Sequence, residues 1–258
     1  MGEAVGRLEG KVAVVTGGAG GIGQAAAALF VAEGADVLLV DLDEQALQHA
    51  VEAVGSNRAS YFVADVTSKR DNQAMIATAE ERYGGVDVFL ANAGIEGDVK
   101  PLVEYDEDRF DQVIGVNVKG VFLGIQAAVP ALAKRGGGSI VITSSVAGVK
   151  GSPGIGPYCA SKHAVIGLMK SAAQEYAAQN IRVNTVNPSP VETRMMRSLE
   201  EGIAPGDAER IKSRMAAAIP LNRYGEPDEI AKVMLFLASD DSSWITGSVQ
   251  MADGGMTA

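Results

Sequence analysis

Tyr158 and Lys162 stand four positions apart in Tyr-Cys-Ala-Ser-Lys, at the start of a segment with helical patterning. At that spacing two side chains share one helical face, so the ammonium can sit beside the phenol. A phenol with pKa about 10 is a poor base at neutral pH, and a nearby cation favours the phenolate. Lowering it by roughly three units takes about 4 kcal/mol, within reach of close, partly desolvated charges. Ser145 lies thirteen residues upstream of Tyr158, at the end of an apolar run of strand length. A hydroxyl there could hold a carbonyl oxygen beside the tyrosine, which makes proton transfer at an oxygen the chemistry to expect. Tyr-x-x-x-Lys alone is common, so the rest of the chain must carry that reading.

A second constellation is Thr16-Gly17-Gly18-Ala19-Gly20-Gly21-Ile22-Gly23, between a strand-like run and an Ala-rich helical segment. Gly17, Gly20, Gly21, Ile22 and Gly23 read as a phosphate-binding turn. Glycines let backbone approach a pyrophosphate, and the helix N-terminus offers free N–H groups to its charge. Asp41 follows at the end of the next strand, about 20 residues on, where a carboxylate can accept hydrogen bonds from both ribose hydroxyls of an adenosine. It would repel a 2′-phosphate, and neither the glycine loop nor Leu42–Glu44 holds an Arg or Lys. The charge pattern prefers NAD to NADP. Asp41 could instead cap the helix that follows. Asp65 and Val66, after the third strand, could cap a helix or touch the adenine.

These residues need a scaffold. Strand-like runs recur at Lys11–Thr16, Asp36–Val40, Ser60–Ala64, Val86–Ala91, Ser139–Thr143 and Ile181–Val186. Several are continuous Val/Ile/Leu stretches, as parallel strands covered on both faces require. Between them lie helical segments at Gly23–Glu33, Asp43–Val54, Ser68–Tyr83, Phe110–Arg135 and Tyr158–Gln179, with another at Pro227–Ala238. The alternation predicts an α/β fold: one doubly wound domain over residues 1–258, a central parallel sheet with helices on both faces. Asn187–Ala217, with Pro188, Pro190 and Pro205, breaks the rhythm where α/β proteins place ligands, so residues 188–217 read as a lid or as a solvated connection.

Composition narrows the function further. The 258 residues are 47% hydrophobic and 21% charged, with net charge −10, against a nucleic-acid or anionic-membrane surface. Cys159 is the single cysteine, so no internal disulfide is possible and a cytoplasmic location is expected. The N-terminal residues have no apolar stretch of a secretory signal, and Gly6 stands where a myristoylation signal has Ser or Thr. No apolar run approaches the roughly 18 residues of a membrane span. His49 and His163 are far apart, with no HExxH and no cysteine cluster, so no metal is expected. Cys159 reads as a small buried thiol. Met195 and Met196 could pack on an apolar substrate or close a core, and the mixed run Glu200–Arg214 reads as a solvated helical face.

Taken in order, these motifs resemble the short-chain dehydrogenase/reductase family in its compact branch, from Leu8 to Gly255. The pieces are TGGAGGIG at Thr16–Gly23, ANAG at Ala91–Gly94, VNVKG around Asn117, SSVAG at Ser144–Gly148, YCASK at Tyr158–Lys162, IRVNTVNPSPVET at Ile181–Thr193 and ADGG at Ala252–Gly255. The resemblance implies a Rossmann-type fold and a catalytic set of Asn117, Ser145, Tyr158 and Lys162. Tyr158 would be the acid/base and Ser145 the donor to the substrate oxygen; the thirteen-residue spacing selects it over Ser144. Lys162 would bind the nicotinamide ribose and depress the tyrosine pKa. Asn117 would hold a proton-relay water, or make a structural hydrogen bond inside a helix. Asn92, Ala93 and Gly94 would line the cofactor, with Pro188, Val191 and Thr193 at the nicotinamide end. Two departures are Ser189, where the family usually has glycine, and Ala91, the first Asn of the common NNAG.

The expected activity is NAD-dependent interconversion of a secondary alcohol and a ketone. The alternatives are a 3-oxoacyl-carrier-protein reductase, whose members resemble NADP enzymes with a basic glycine loop, and a non-catalytic dinucleotide-binding regulator. Met195, Met196, Val146 and Ile155 near the pocket suggest a small, mostly apolar, cyclic substrate. The family is usually tetrameric through its two long helices, here Phe110–Arg135 and Tyr158–Gln179, so a homotetramer is expected.

Overall fold

The structure, a computed structural model, describes residues 6–258. The N-terminal targeting reading draws on residues 1–11, of which 1–5 lie outside the described residues. Seven parallel strands form one sheet: β1 (Val12–Thr16), β2 (Asp36–Asp41), β3 (Ala59–Val63), β4 (Val88–Ala91), β5 (Gly138–Thr143), β6 (Ile181–Pro188) and β7 (Val249–Ala252). Their order is β3-β2-β1-β4-β5-β6-β7, so the direction of winding reverses between β1 and β4. That reversal opens a crevice at the carboxyl ends of the strands, where such sheets bind ligands.

Alternation along the strands divides two apolar layers. Val12, Val14, Ile140 and Ile142 point to one face, under α3 (Lys69–Tyr83), α5 (Gly120–Lys134) and α6 (Gly156–Tyr176). Ala13, Val15, Val37 and Leu39 point to the other, under α1 (Gly21–Ala32), α2 (Glu44–Val54) and α9 (Pro227–Ala238). Burial on both faces is why these strands read as unbroken apolar runs. β7 lacks such a run. Its residues VQMA are half-buried at the sheet edge, and pairing with β6 from Thr185 to Pro188 makes it a strand.

The long helix expected at Phe110–Arg135 starts earlier and is not uniform. It runs as α4 (Glu107–Ile114), a π turn at Gly115–Lys119, then α5. Asp106 caps its start by accepting from Arg109 N, which sets the earlier boundary. By length and composition this helix, Glu107–Lys134, could cross a membrane, contrary to the sequence expectation of no such run. Here its apolar face lies on the sheet: Val121, Ile125, Ala128 and Leu132 belong to the core. The approach is close, for a Cβ at Gly124 would stand 2.6 Å from the Phe89 ring.

The segment read as irregular after β6 holds two helices, α7 (Arg194–Ile203) and α8 (Ala208–Ala217). Thr193 starts α7 by accepting from Met196 N. Nor is Glu200–Arg214 simply a solvated face. Glu200 is fully buried, and Ile211 and Leu199 are buried with it. A third apolar cluster joins Met196 and Leu199 of α7 to Ile219 and Tyr224, with Val99 and Ile155 packed against it. Met196 therefore closes a small core.

Candidate active site

Thr16, Asp41, Ala91, Thr143 and Pro188 are the last residues of five strands; most predicted cofactor residues and Ser145 stand at or just beyond them, Asp65 and Val66 follow β3, and Asn117, Tyr158 and Lys162 come from the π turn and α6. The glycine loop leaves β1 with Gly17 at φ +65°. A Cβ on Gly23 would lie 2.2 Å from Gly17 O, so the turn closes only with glycine there. Gly20 precedes α1, and no side chain caps this helix. The first N–H groups of α1, from Gly21 to Gly23, thus have no intrahelical partner, and Gly20 and Gly21 are exposed.

Asp41 faces this loop. Its Oδ2 accepts from Ala19 N at 3.2 Å and its Oδ1 from Leu42 N at 2.8 Å. It does not cap α2. Asp43 does so, accepting from Ala46 N. A free anion-binding helix end with a carboxylate one strand away fits a dinucleotide: pyrophosphate on Gly20–Ile22, ribose diol on Asp41. Leu42, next to Asp41, is exposed. Asp65 holds the turn after β3 through Thr67 N and Oγ1, while Ser68 caps α3. Val66 lies against Gly120, whose Cβ would stand 2.9 Å from it.

Asn92 knits three strands together. Its amide donates to Thr16 O and Gly17 O, and its Oδ1 accepts from Thr143 Oγ1 at 3.0 Å. Ala93 N donates to Thr16 Oγ1. Gly94 lies between the two halves of the site, since a Cβ there would stand 3.3 Å from Asn117 Oδ1 and 3.4 Å from Lys162 Nζ. Across the crevice, Pro188 ends β6, Val191 is buried, and the Thr193 methyl lies 3.5 Å from the Cβ position of Gly21.

Tyr158 and Lys162 occupy the first turns of α6, buried, with Nζ 5.5 Å from the ring centroid. Lys162 Nζ donates to Thr143 O at 2.8 Å. Burial pushes its pKa down to about 8. Burial also pushes Tyr158 up to about 12, opposed by the hydrogen bond with Ser145 and reinforced by Cys159 and the Glu96 carboxylate. This is opposite in direction to the depression expected from Lys162, which is not among the groups that shift the phenol here. Ser145 Oγ accepts from Ala147 N at 3.1 Å, whereas the Ser144 hydroxyl is spent on Lys162 O.

Asn117 sits in the π turn and is buried. Its Oδ1 accepts from Ile95 N at 2.8 Å, and its Nδ2 donates to Ile95 O at 2.9 Å and to Ser161 Oγ at 3.0 Å. Of the two readings of this side chain, the structural hydrogen bond is present. Ser161 donates onward to Tyr158 O at 2.7 Å, a link the sequence reading missed although Ser161 lies inside YCASK. Among the described residues no group of His, Cys, Asp and Glu could hold a metal. Cys159 is buried; the His163 ring, one helical turn on, contacts the Cys159 carbonyl at 2.8 Å, and no group of three such residues forms around them among the described residues.

A parallel sheet in this order, with an open glycine-loop helix end at its switch point, defines a nicotinamide-dinucleotide oxidoreductase of Rossmann type. Residues 17–257 match the family model described as "Enoyl-(Acyl carrier protein) reductase". The 3-oxoacyl-(acyl-carrier-protein) reductase of Thermotoga maritima is 44% identical over 97% of this chain and 99% of its own. A 2,5-dichloro-2,5-cyclohexadiene-1,4-diol dehydrogenase of Sphingobium indicum is 40% identical over 97% and 98%. The levodione reductase of Leifsonia aquatica is 35% identical over 98% of this chain and 96% of its own. A crystal structure of levodione reductase superposes with a TM-score of 0.94 over 96% of this chain and 98% of that one, at 35% identity. The chain belongs to the short-chain dehydrogenase/reductase family and is an oxidoreductase.

Proposed function

We propose that this chain interconverts a secondary alcohol and a ketone with NAD, using Tyr158 as acid/base. The observation that carries the reading is the buried Tyr158 phenol on α6 with Lys162 Nζ 5.5 Å from its ring, beside Ser145 at the carboxyl end of β5. A bound nicotinamide dinucleotide supplies the hydride acceptor or donor and, when oxidised, a positively charged ring. Tyr158 takes the hydroxyl proton of the alcohol, and Ser145 donates a hydrogen bond to the oxygen as it becomes the carbonyl. Lys162 bonds the nicotinamide ribose and favours the phenolate. Asn117, its side chain committed to Ile95 and Ser161, braces the loop on which Gly94 stands. Asn117 would also hold the water that relays the proton from Lys162 to solvent.

Asp41 selects the cofactor. Hydrogen bonds from two ribose hydroxyls to a carboxylate contribute roughly 1.5–3 kcal/mol each. A 2′-phosphate forfeits them and meets a like charge worth about 4 kcal/mol at 4 Å and an effective dielectric near 20, before salt screening. NAD is therefore favoured at least tenfold in kcat/KM, with Gly17, Gly20–Gly23, Leu42, Asp65, Val66, Asn92–Gly94, Pro188, Val191 and Thr193 around the cofactor. Val146 and Ile155 wall the substrate side, which suits a mostly apolar, cyclic substrate. The names of the diol dehydrogenase and the levodione reductase support that class. The whole chain would act as one domain in the cytoplasm, with α7 and α8 as the lid.

A second reading, reduction of a 3-oxoacyl group on a carrier protein, is favoured by the Thermotoga maritima relative. Absorbance of NADH during turnover of a panel of cyclic secondary alcohols, with NAD and NADP in parallel, separates the two. Oxidation of cyclic alcohols with NAD supports the first. Turnover confined to 3-oxoacyl thioesters with NADPH overturns it. Asp41→Ser should narrow the NAD preference, and equal use of both cofactors by the parent would contradict the assignment of Asp41.

A further inference from the structure

The reaction leaves one buried polar cluster unused. Glu200, in the second turn of α7, is fully buried. Its Oε1 accepts from Tyr224 Oη at 2.8 Å and from Arg197 Nη2 at 3.0 Å, while Oε2 is buried with no hydrogen-bond partner. Tyr224, itself buried, lies between two cations, with Arg197 and Lys212 each 5.7 Å from its ring centroid. Those cations also grip Glu192: Arg197 donates to one of its oxygens at 3.1 Å and Lys212 to the other at 2.7 Å. One loop residue before Thr193 is thus tied to both α7 and α8. The backbone closes the ring, since Glu192 N donates to Gly225 O and Gly225 N to Pro190 O.

We propose that Tyr224 and Glu200 form a latch that positions α7 over the cleft, and so act as positioning residues for cofactor and substrate. The N-cap of that helix is Thr193, whose methyl approaches the glycine loop, and its first turn carries Met196, packed with Tyr224 in one cluster. Pulling Tyr224 away therefore moves both groups. The latch is also of a releasable kind. A buried carboxylate with one oxygen unpaired is held by few bonds, and removing one of its two donors leaves the charge with a single partner. Burial and the Glu200 hydrogen bond both raise the pKa of Tyr224, so its hydroxyl keeps the proton it donates.

The proposal rests on the oxidoreductase reading for its kinetic arm only. Tyr224→Phe keeps the ring and removes the donor; Glu200→Gln keeps the shape and removes the charge. Each should raise KM for the alcohol at least fivefold and weaken NADH binding at least threefold, with kcat at saturation within threefold of the parent. The second arm needs no turnover. Trypsin can cut the α7–α8 segment at Arg194, Arg197, Arg210, Lys212 and Arg214. Cleavage there should be at least tenfold faster in Tyr224→Phe than in the parent, and saturating NADH should restore protection. Met75→Ala, on the buried face of α3, supplies a variant destabilised elsewhere. If Tyr224→Phe and Glu200→Gln match the parent in KM and cleavage rate within twofold, the latch is refuted. Cleavage spread over the whole chain, as in Met75→Ala, would also refute it. Should the parent oxidise no alcohol, the functional reading falls while the trypsin and NADH-binding arms still judge the latch.

Discussion

At the scale of single residues, burial dominates the site. Tyr158 is pushed up to about 12 and Lys162 down to about 8 for the same reason: the interior disfavours whichever form is charged. Tyr158→Phe keeps the ring and removes the transferable proton. Turnover should fall by the roughly 10²–10⁴ of a lost acid/base while NADH still binds, and a variant within a few-fold of the parent would refute the mechanism. Lys162 carries a prediction about stability. Between pH 8 and 10.5 the unfolded chain holds the lysine proton and the folded chain does not, so the stability of the parent rises with pH across that window. Lys162→Met should remove the rise and be more stable at pH 7 by about 1–3 kcal/mol, part of the gain being lost with the bond to Thr143. The comparison belongs below pH 10, because above it the unfolded chain loses the Tyr158 proton that the folded chain keeps to about 12, and stability falls. Urea denaturation of both proteins from pH 7 to 9.5 checks the slope.

At the scale of elements, two helices set the geometry of the crevice. α5 lies close to the sheet because Gly120 and Gly124 present no side chain to Val66 and Phe89. Ordinarily Gly to Ala inside a helix gains up to about 1 kcal/mol. At Gly124 the new methyl would meet a fully buried ring, and overpacking of that kind costs about 1–3 kcal/mol. Gly124→Ala should therefore lower stability despite its better helix propensity, and denaturant midpoints equal to or above the parent would contradict this. The π turn at Gly115–Lys119 is the second device. It carries Asn117 to the point where one side chain clamps Ile95 from both backbone groups and reaches Ser161 on α6. Extra-residue turns of this type are frequent at functional sites.

At the scale of the whole molecule, the outer faces of the two long helices stand out. Phe122, Gln126 and Pro130 are exposed along one stripe of α5, and Phe122 is 46% exposed. On α6 the outer positions include Ala160, Ala164 and Gly167, small residues that leave a flat face. Such surfaces suit close helix packing between copies, which supports the homotetramer that family resemblance leads one to expect. Light scattering at micromolar concentration should give four chains, and Phe122→Glu should shift the distribution to smaller species. A monomeric parent would remove the proposal. A net charge of −10 favours solubility and weakens attraction to nucleic acid.

What the sequence determined by itself is local or periodic. The glycine turn, Asp41 at a strand end, the four-residue step from Tyr158 to Lys162 and the apolar runs of β1, β2, β4, β5 and β6 follow from spacing that backbone geometry converts directly into position. Tertiary structure decided whatever depends on partners far away in the chain. β7 is a strand because β6 is beside it. Glu200, in a run of mixed charge that reads as solvated, is buried because Tyr224, 24 positions later, supplies its hydrogen bond. The proton affinities of Tyr158 and Lys162 follow the same rule. Desolvation is summed over every neighbour the fold brings near, and no spacing along the chain records that sum.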